Sequence, residues 1–140
     1  MNPRRIDHTA IAVRDLDEAI ARYQRLYGIG SVERLPVADQ QVDVAFLPVG
    51  DTMLELISPT TNTSGVARFL ERRGEGLHHI AFAVYDIERE LDSLRREGVR
   101  LIDDQPRRGA HGVVAFVHPE GTGGVLVELV QHVADQELQA

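Results

Sequence analysis

GLHHIAFAV, at residues 76–84, is the stretch that decides the fold, because it matches an earlier stretch, DHTAIAV, at residues 7–13. His79 aligns with His8, and the alanine and valine that close each stretch align as well. Apolar residues recur at every second position in both, which is typical of a β-strand. The match therefore predicts two related strands, each with a histidine near its start.

A second pair of matching stretches follows later in the chain. MLELISP surrounds Glu55 and VLVELVQ surrounds Glu128. The spacing between these two glutamates is nearly the same as the spacing between His8 and His79. Two matches at nearly the same spacing indicate an internal duplication.

Each half of the duplication predicts the same order of elements: a strand, a helix and then three strands. DLDE, at residues 15–18, is typical of a helix start, with an N-cap acid and a glutamate three residues later, and Gly28 is typical of a helix end. The predicted strands lie at about 5–13, 31–37, 41–48 and 52–58, then at 77–84, 99–102, 113–118 and 124–131, with a second long helix at 86–97.

This order predicts an α+β fold in which two tandem βαβββ modules pair within a single domain, residues 1–140. Module 1 is expected at about 5–59 and module 2 at about 77–132. A connector with a short helix is expected at 60–76, and a polar, frayed tail at 133–140. Pairing of the two modules would leave a metal-binding cleft between related strands.

Composition argues against several functional classes. The net charge is −7, so a general nucleic-acid binder is not expected. No apolar run approaches the ~20 residues that span a bilayer, and the N-terminus does not resemble a signal peptide, so we expect a cytoplasmic protein without membrane contact. There is no cysteine, so a metal would be held by histidine and carboxylate. All 15 basic residues are arginine, so an anionic substrate would be bound by arginines or backbone amides.

His8, Glu55, His79 and Glu128 form a candidate metal site. Each histidine shares its strand face with alanines, which leave room for a ligand, and each glutamate is a lone carboxylate in an apolar strand. Burying an unpaired carboxylate costs several kcal/mol, so such a residue is usually paired or bound to a cation. Two imidazoles and two carboxylates suit one divalent ion such as Co²⁺, Mn²⁺, Ni²⁺, Fe²⁺ or Zn²⁺.

Simpler interpretations exist for each of these residues alone. A single histidine is more often a hydrogen-bonded structural residue, and a single glutamate more often faces solvent or pairs with an arginine. His78 and His118 are interpreted in this structural way. Arg107 and Arg108 would either meet phosphates or be solvated. The recurrence of both residue types at corresponding positions is what favours the metal site.

The duplicated order His…Glu…His…Glu resembles the vicinal oxygen chelate superfamily, and within it the chain is most similar to methylmalonyl-CoA epimerases. The resemblance covers about residues 6–131, and its most particular stretches are GLHHIAFAV, GVRLIDDQPRRGAHG and FVHPEGTGGVLVELVQ. It implies interconversion of (2R)- and (2S)-methylmalonyl-CoA through a metal-stabilised enolate. It also implies one divalent metal ion, a small-molecule acyl-CoA substrate and a homodimer.

The resemblance further implies roles for individual residues. The metal would chelate the thioester oxygen and one carboxylate oxygen, and inversion at C2 requires two acid–base groups that flank the carbon. Glu128 would be one of them. Asp43, on the strand before Glu55, would be the other, unless it is a solvent-facing strand aspartate with no catalytic role. His111 and Gly112, in the loop GAHG, would border the substrate or form only a turn. Where many relatives carry lysines, this chain has Val-Val after that loop and HPEGTGG in the next turn, which leaves open how CoA phosphates are held.

Two other functions remain open at this point. A glyoxalase I-type lactoylglutathione lyase uses a similar metal constellation, although its usual Asp-Pro-Asp-Gly turn is His-Pro-Glu-Gly here. A non-catalytic small-molecule-binding module of the same fold often lacks the metal residues, whereas this chain retains all four. An extradiol dioxygenase, with three iron ligands and commonly a longer chain, fits less well.

Overall fold

The computed structural model describes residues 1–133, so the predicted tail lies, apart from Val133, outside the described residues. The chain divides into two compact units. The first unit is His8–His78, and the second unit is Met1–Asp7 together with the chain from His79 onward. No helix in the described part of the chain combines the length and the apolar character needed to cross a membrane.

The elements follow the predicted order. From the N-terminus to the connector they are β1 (Arg5–Ala12), α1 (Leu16–Tyr27), β2 (Glu33–Val37), β3 (Val42–Val49), β4 (Thr52–Pro59) and α2 (Gly65–Arg73). The rest of the described chain contains β5 (Gly76–Ala83), α3 (Ile87–Arg96), β6 (Arg107–Arg108), β7 (Gly112–Val117) and β8 (Val127–His132). Short 3₁₀ turns lie at Ala38–Gln40 and Pro119–Thr122.

Both units arrange their strands in the same way. In the first unit the order is β2-β3-β4-β1, antiparallel except for the parallel pair of β4 and β1. In the second unit the order is β6-β7-β8-β5, again with one parallel pair, β8 and β5. The α+β class and the repeated βαβββ order are therefore confirmed.

Matching aspartates begin the two long helices. The Asp15 side chain accepts a hydrogen bond from the backbone N–H of Glu18 at 3.0 Å, and the Asp86 side chain accepts one from Arg89 at 3.1 Å. Each bond satisfies one of the N–H groups that a first helical turn leaves without a partner. Gly28 ends α1 with a positive φ, in the left-handed region that glycine adopts without strain.

The prediction of a strand at 99–102 is wrong. In that segment only Leu101 forms a bridge, an isolated one to Val117, and the strand in this place of the module is β6. Val99 and Leu101 both pack against the core beneath α3, which accounts for their apolar character without a full strand. Apolar alternation alone does not separate these two causes.

The long helices α1 and α3 each cover one face of their own unit's sheet. In the first unit the core joins helix residues Leu16, Ala19 and Ile20 to strand residues Ala45, Leu47 and Leu56, together with Val13. In the second unit the core consists of Val84, Ile87, Leu91, Ala115, Val117, Val127 and Leu129. The residues between these on the same strands face the opposite side of each sheet, and the candidate metal ligands are among them.

Candidate metal centre

In the first unit, β1 and β4 bring His8 and Glu55 together. Ala10 is the register partner of Glu55, and alternation along β1 puts His8 on the same face. His8 Nε2 lies 3.6 Å from Glu55 Oε2, and the two residues are only 3% and 6% exposed. The neighbouring Ala10 and Ala12 are fully buried.

In the second unit, β5 and β8 repeat this geometry. Ala81 is the register partner of Glu128, and His79 lies two residues before Ala81 on the same face. His79 Nε2 lies 3.6 Å from Glu128 Oε2, and both residues are buried. The duplication thus extends from sequence to the distance between side-chain atoms.

Phe46 and Phe116, which sequence reasoning missed, complete the repeat. The Phe46 ring meets the His8 ring edge-on with centroids 5.6 Å apart, and the Phe116 ring meets the His79 ring at 5.2 Å. Phe46 is the register partner of Glu55, as Phe116 is of Glu128. These rings orient the imidazoles and keep water from them on one side. In the sequence, these two residues could have been found because each lies on the strand that directly precedes the strand of a glutamate ligand.

The donor set fits a divalent metal ion. A separation of 3.6 Å is longer than a good hydrogen bond between nitrogen and oxygen, but it suits two ligands that each lie about 2.1 Å from one ion. His8, Glu55 and His79 are all buried, and each offers one ligand atom of the kind that such ions take. Two buried carboxylates also need positive charge nearby, which an ion would supply.

Asp43 does not lie with the other candidate residues. Its register partners are Pro36 and Ser58, and it alternates with Phe46 so that the two occupy opposite faces of β3. Asp43 is exposed, whereas Val44 occupies the buried position on the Glu55 side. The proposed second acid–base group is therefore on the wrong face of its strand.

Gly112, in the loop predicted to border the substrate, is required by the packing of the backbone around it. A Cβ added to Gly112 would lie 2.1 Å from the backbone oxygen of Gln131, so no side chain fits where β7 begins. His111 stacks on His132 with ring centroids 6.0 Å apart, and His132 Nε2 lies 2.6 Å from the buried Asp7 carboxylate. The substrate-binding role of His111 and Gly112 stays a prediction.

The remaining two histidines have structural surroundings. His78 lies edge-on to Phe69 at 4.8 Å, and burial lowers the pKa of His78 from 6.5 to about 4, so it is neutral at pH 7. His118 begins the 3₁₀ turn, where its Nδ1 accepts a hydrogen bond from the Glu120 N–H at 3.1 Å.

Comparison with known proteins finds methylmalonyl-CoA epimerases among the similar relatives of this chain. The sequence model of the Glyoxalase/Bleomycin resistance protein/Dioxygenase superfamily matches residues 7–117. The mitochondrial methylmalonyl-CoA epimerase of Homo sapiens is 39% identical over 93% of this chain and 75% of its own length. The ethylmalonyl-CoA/methylmalonyl-CoA epimerase of Cereibacter sphaeroides is 40% identical over 91% of this chain and 97% of its own length.

A solved structure agrees with these relatives. A Streptomyces coelicolor methylmalonyl-CoA epimerase variant in complex with 2-nitronate-propionyl-CoA superimposes with a TM-score of 0.91 at 38% identity. The match covers 95% of this chain and 97% of that chain.

Proposed function

This chain belongs to the glyoxalase/bleomycin resistance/dioxygenase superfamily, in the group that includes methylmalonyl-CoA epimerases, and we propose that it interconverts (2R)- and (2S)-methylmalonyl-CoA. The observation that carries the proposal is the pair of buried histidine–glutamate couples, each with a nitrogen–oxygen distance of 3.6 Å. Relatives that are 39% and 40% identical bear epimerase names, which supports the same reaction here.

We propose that His8, Glu55, His79 and Glu128 together hold one divalent ion, of the kind of Co²⁺, Mn²⁺, Ni²⁺ or Zn²⁺. The proposal is supported by their burial, by the matched donor sets and by the duplication that relates them. When bound, such an ion would act as a Lewis acid toward the negative charge that develops on the thioester oxygen.

The proton chemistry requires two groups, because inversion removes the C2 proton on one side and returns it on the other. We propose Glu128 as one of them. Since Asp43 is exposed on the other face of β3, we propose Glu55 as the second. Glu55 matches Glu128 in burial, in its neighbouring histidine and in the phenylalanine paired with it across the strands.

The test is proton NMR in deuterated buffer with metal-loaded protein and (2S)-methylmalonyl-CoA. We expect loss of the C2–H signal together with appearance of the 2R epimer. Absence of exchange above the protein-free rate would refute the epimerase. Turnover of the methylglyoxal–glutathione adduct instead would establish the lyase.

The variants Glu55→Gln and Glu128→Gln separate the two acid–base roles, since glutamine keeps an oxygen donor but no longer accepts a proton at neutral pH. Each variant is expected to lose epimerisation by at least about a hundredfold. Each is expected to retain C2–H exchange with only one of the two epimers. Metal content of both variants, measured by elemental analysis, shows whether the loss has another cause. Full epimerase activity in either variant would exclude that residue.

The substrate class, the oligomeric state and the cellular location each need a separate test. An acyl-CoA is the proposed substrate, because the relatives are named for acyl-CoA substrates. The homodimer and the cytoplasmic location stay predictions. Light scattering coupled to gel filtration measures the first, and fluorescence microscopy of a tagged chain measures the second.

A further inference from the structure

We propose that Arg107 is a specificity-determining residue that binds the free carboxylate of the acyl group. The inference rests on the proposed function and deepens it, because it explains which acyl-CoA esters the protein would accept. Arg107 belongs to β6, the two-residue strand that sequence reasoning did not predict.

The strand register puts Arg107 on the same face as the metal ligands of the second unit. Arg107 is the partner of Val114 on β7, Phe116 lies two residues further along β7, and Phe116 is the partner of Glu128. Paired residues share a face and every second residue returns to it. Arg107, Phe116 and Glu128 therefore face the same side of the sheet.

The ring of Phe116 connects the guanidinium of Arg107 to the candidate metal centre. Its Cζ is 5.9 Å from the centroid of the Phe116 ring, and that ring is 5.2 Å from the ring of His79. A single aromatic ring thus separates the cation from a proposed metal ligand. The cation–aromatic contact also restrains the direction of the guanidinium.

Asp103 holds this cation in place. Asp103 Oδ1 lies 3.3 Å from Arg107 Nε, while Asp103 Oδ2 accepts a hydrogen bond from the Phe116 N–H at 2.8 Å. The carboxylate is thereby tied to the strand that carries Phe116. Because the Arg107 side chain is still 36% exposed, a bound molecule can reach it.

A carboxylate near C2 is the ligand that this position suits. A guanidinium presents several N–H donors in a planar fork that matches carboxylate geometry. In a malonyl-type ester the free carboxylate is attached to C2, so it must lie beside the residues that move the C2 proton. The CoA phosphates, by contrast, are at the far end of the long pantetheine arm. In a chain of net charge −7 that lacks lysine, arginine is the side chain that offers a permanent positive charge to such an anion.

Arg108 offers a matched control within the same strand. It is the partner of Val113, so it faces the other side of the sheet from Arg107, and it is exposed. The substitutions Arg107→Met and Arg108→Met remove the same charge from adjacent residues on opposite faces of the sheet.

The experiment is calorimetric titration of metal-loaded protein with methylmalonyl-CoA and with propionyl-CoA, which lacks the carboxylate. We expect Arg107→Met to weaken methylmalonyl-CoA binding by about 10- to 100-fold and propionyl-CoA binding by less than about twofold. Arg107→Lys is expected to recover part of the loss, and Arg108→Met to leave both affinities unchanged. If Arg107→Met unfolds, Arg107→Lys carries the test, with an expected loss confined to methylmalonyl-CoA.

Equal weakening of both esters by Arg107→Met, or no weakening, would overturn the inference. If the wild-type protein exchanges the C2 proton but Arg107→Met changes the affinities for the two esters equally, the proposed role of Arg107 is wrong and the epimerase proposal stands. If the wild-type protein discriminates through Arg107 but exchanges no proton, the epimerase fails and the carboxylate site stands. A wild-type protein that binds neither ester overturns both.

Discussion

At the scale of single residues, the feature that most needs a physical cause is the burial of two glutamates. Glu55 and Glu128 are each less than a tenth exposed and each lies in an apolar strand. Removing a carboxylate from water costs several kcal/mol unless a cation or donors compensate. Each glutamate lies 3.6 Å from a histidine nitrogen, and this pairing of donors is what a shared metal ion explains.

One prediction at this scale concerns Asp43. The substitution Asp43→Asn should change the rate of C2–H exchange by less than about twofold, since the side chain is exposed and faces away from Glu55. The same exchange assay in deuterated buffer measures it. A loss of about tenfold or more, with unchanged metal content, would return Asp43 to the catalytic machinery.

Another concerns Gly112. The substitution Gly112→Ala should lower the free energy of unfolding by about 2–3 kcal/mol, because the new methyl group would overlap the Gln131 carbonyl and force β7 away from β8. Urea unfolding followed by circular dichroism measures the change. Gly30→Ala is the control, because nothing lies within 4 Å of a Cβ at Gly30. Equal midpoints for the two variants would contradict the clash.

At the scale of elements, the duplicated helices begin in the same way. Asp15 and Asp86 both cap their helices through a bond to the backbone N–H three residues later. α1 and α3 each cover one face of their own sheet, so fraying of either helix start would loosen the core beneath it. Equivalent caps should therefore have equivalent energetic effects.

The prediction at this scale is that Asp15→Ala and Asp86→Ala each lower the free energy of unfolding by about 1 kcal/mol. Thermal and urea unfolding measure both variants under the same conditions. Asp92→Ala serves as a comparison, because Asp92 forms an exposed ion pair with Arg95 on the same helix and should contribute only a few tenths of that amount. A cost at Asp92 as large as at the two caps would argue against the capping role.

At the scale of the whole molecule, metal binding and folding should be linked. The proposed site takes four ligands from distant parts of the sequence, which the unfolded chain does not assemble. An ion that binds only the folded state, at about a hundred times its dissociation constant, stabilises it by about 2.7 kcal/mol. For a chain of this length that corresponds to a rise of roughly 5–10 °C in Tm.

We accordingly predict that chelation of metal lowers Tm by that amount and that Mn²⁺ or Co²⁺ restores it, as differential scanning calorimetry would show. The double variant Glu55→Gln/Glu128→Gln should respond much less to the ion. Without metal, it should be more stable than the wild-type chain, because two buried negative charges have been removed. A wild-type Tm that is indifferent to chelator and metal would argue against a shared ion.

Much of the fold followed from local patterns. The match of GLHHIAFAV to DHTAIAV, the N-cap aspartates and the helix-ending Gly28 predicted most elements to within a few residues. The segment 99–102 was the exception, since Val99 and Leu101 pack against the core of the second unit while only Leu101 forms a bridge.

By itself, the sequence determined the duplication, and with it the recurrence of one histidine and one glutamate in each half. Only the tertiary structure decided which other residues join them. Alternation tells which residues of one strand share a face, but the register between strands tells which faces of different strands coincide. Register depends on contacts between residues that are distant in the sequence. The register of β3 with β4 places Asp43 on the face opposite to Glu55, and the registers of β6, β7 and β8 place Arg107 and Phe116 on the same face as Glu128.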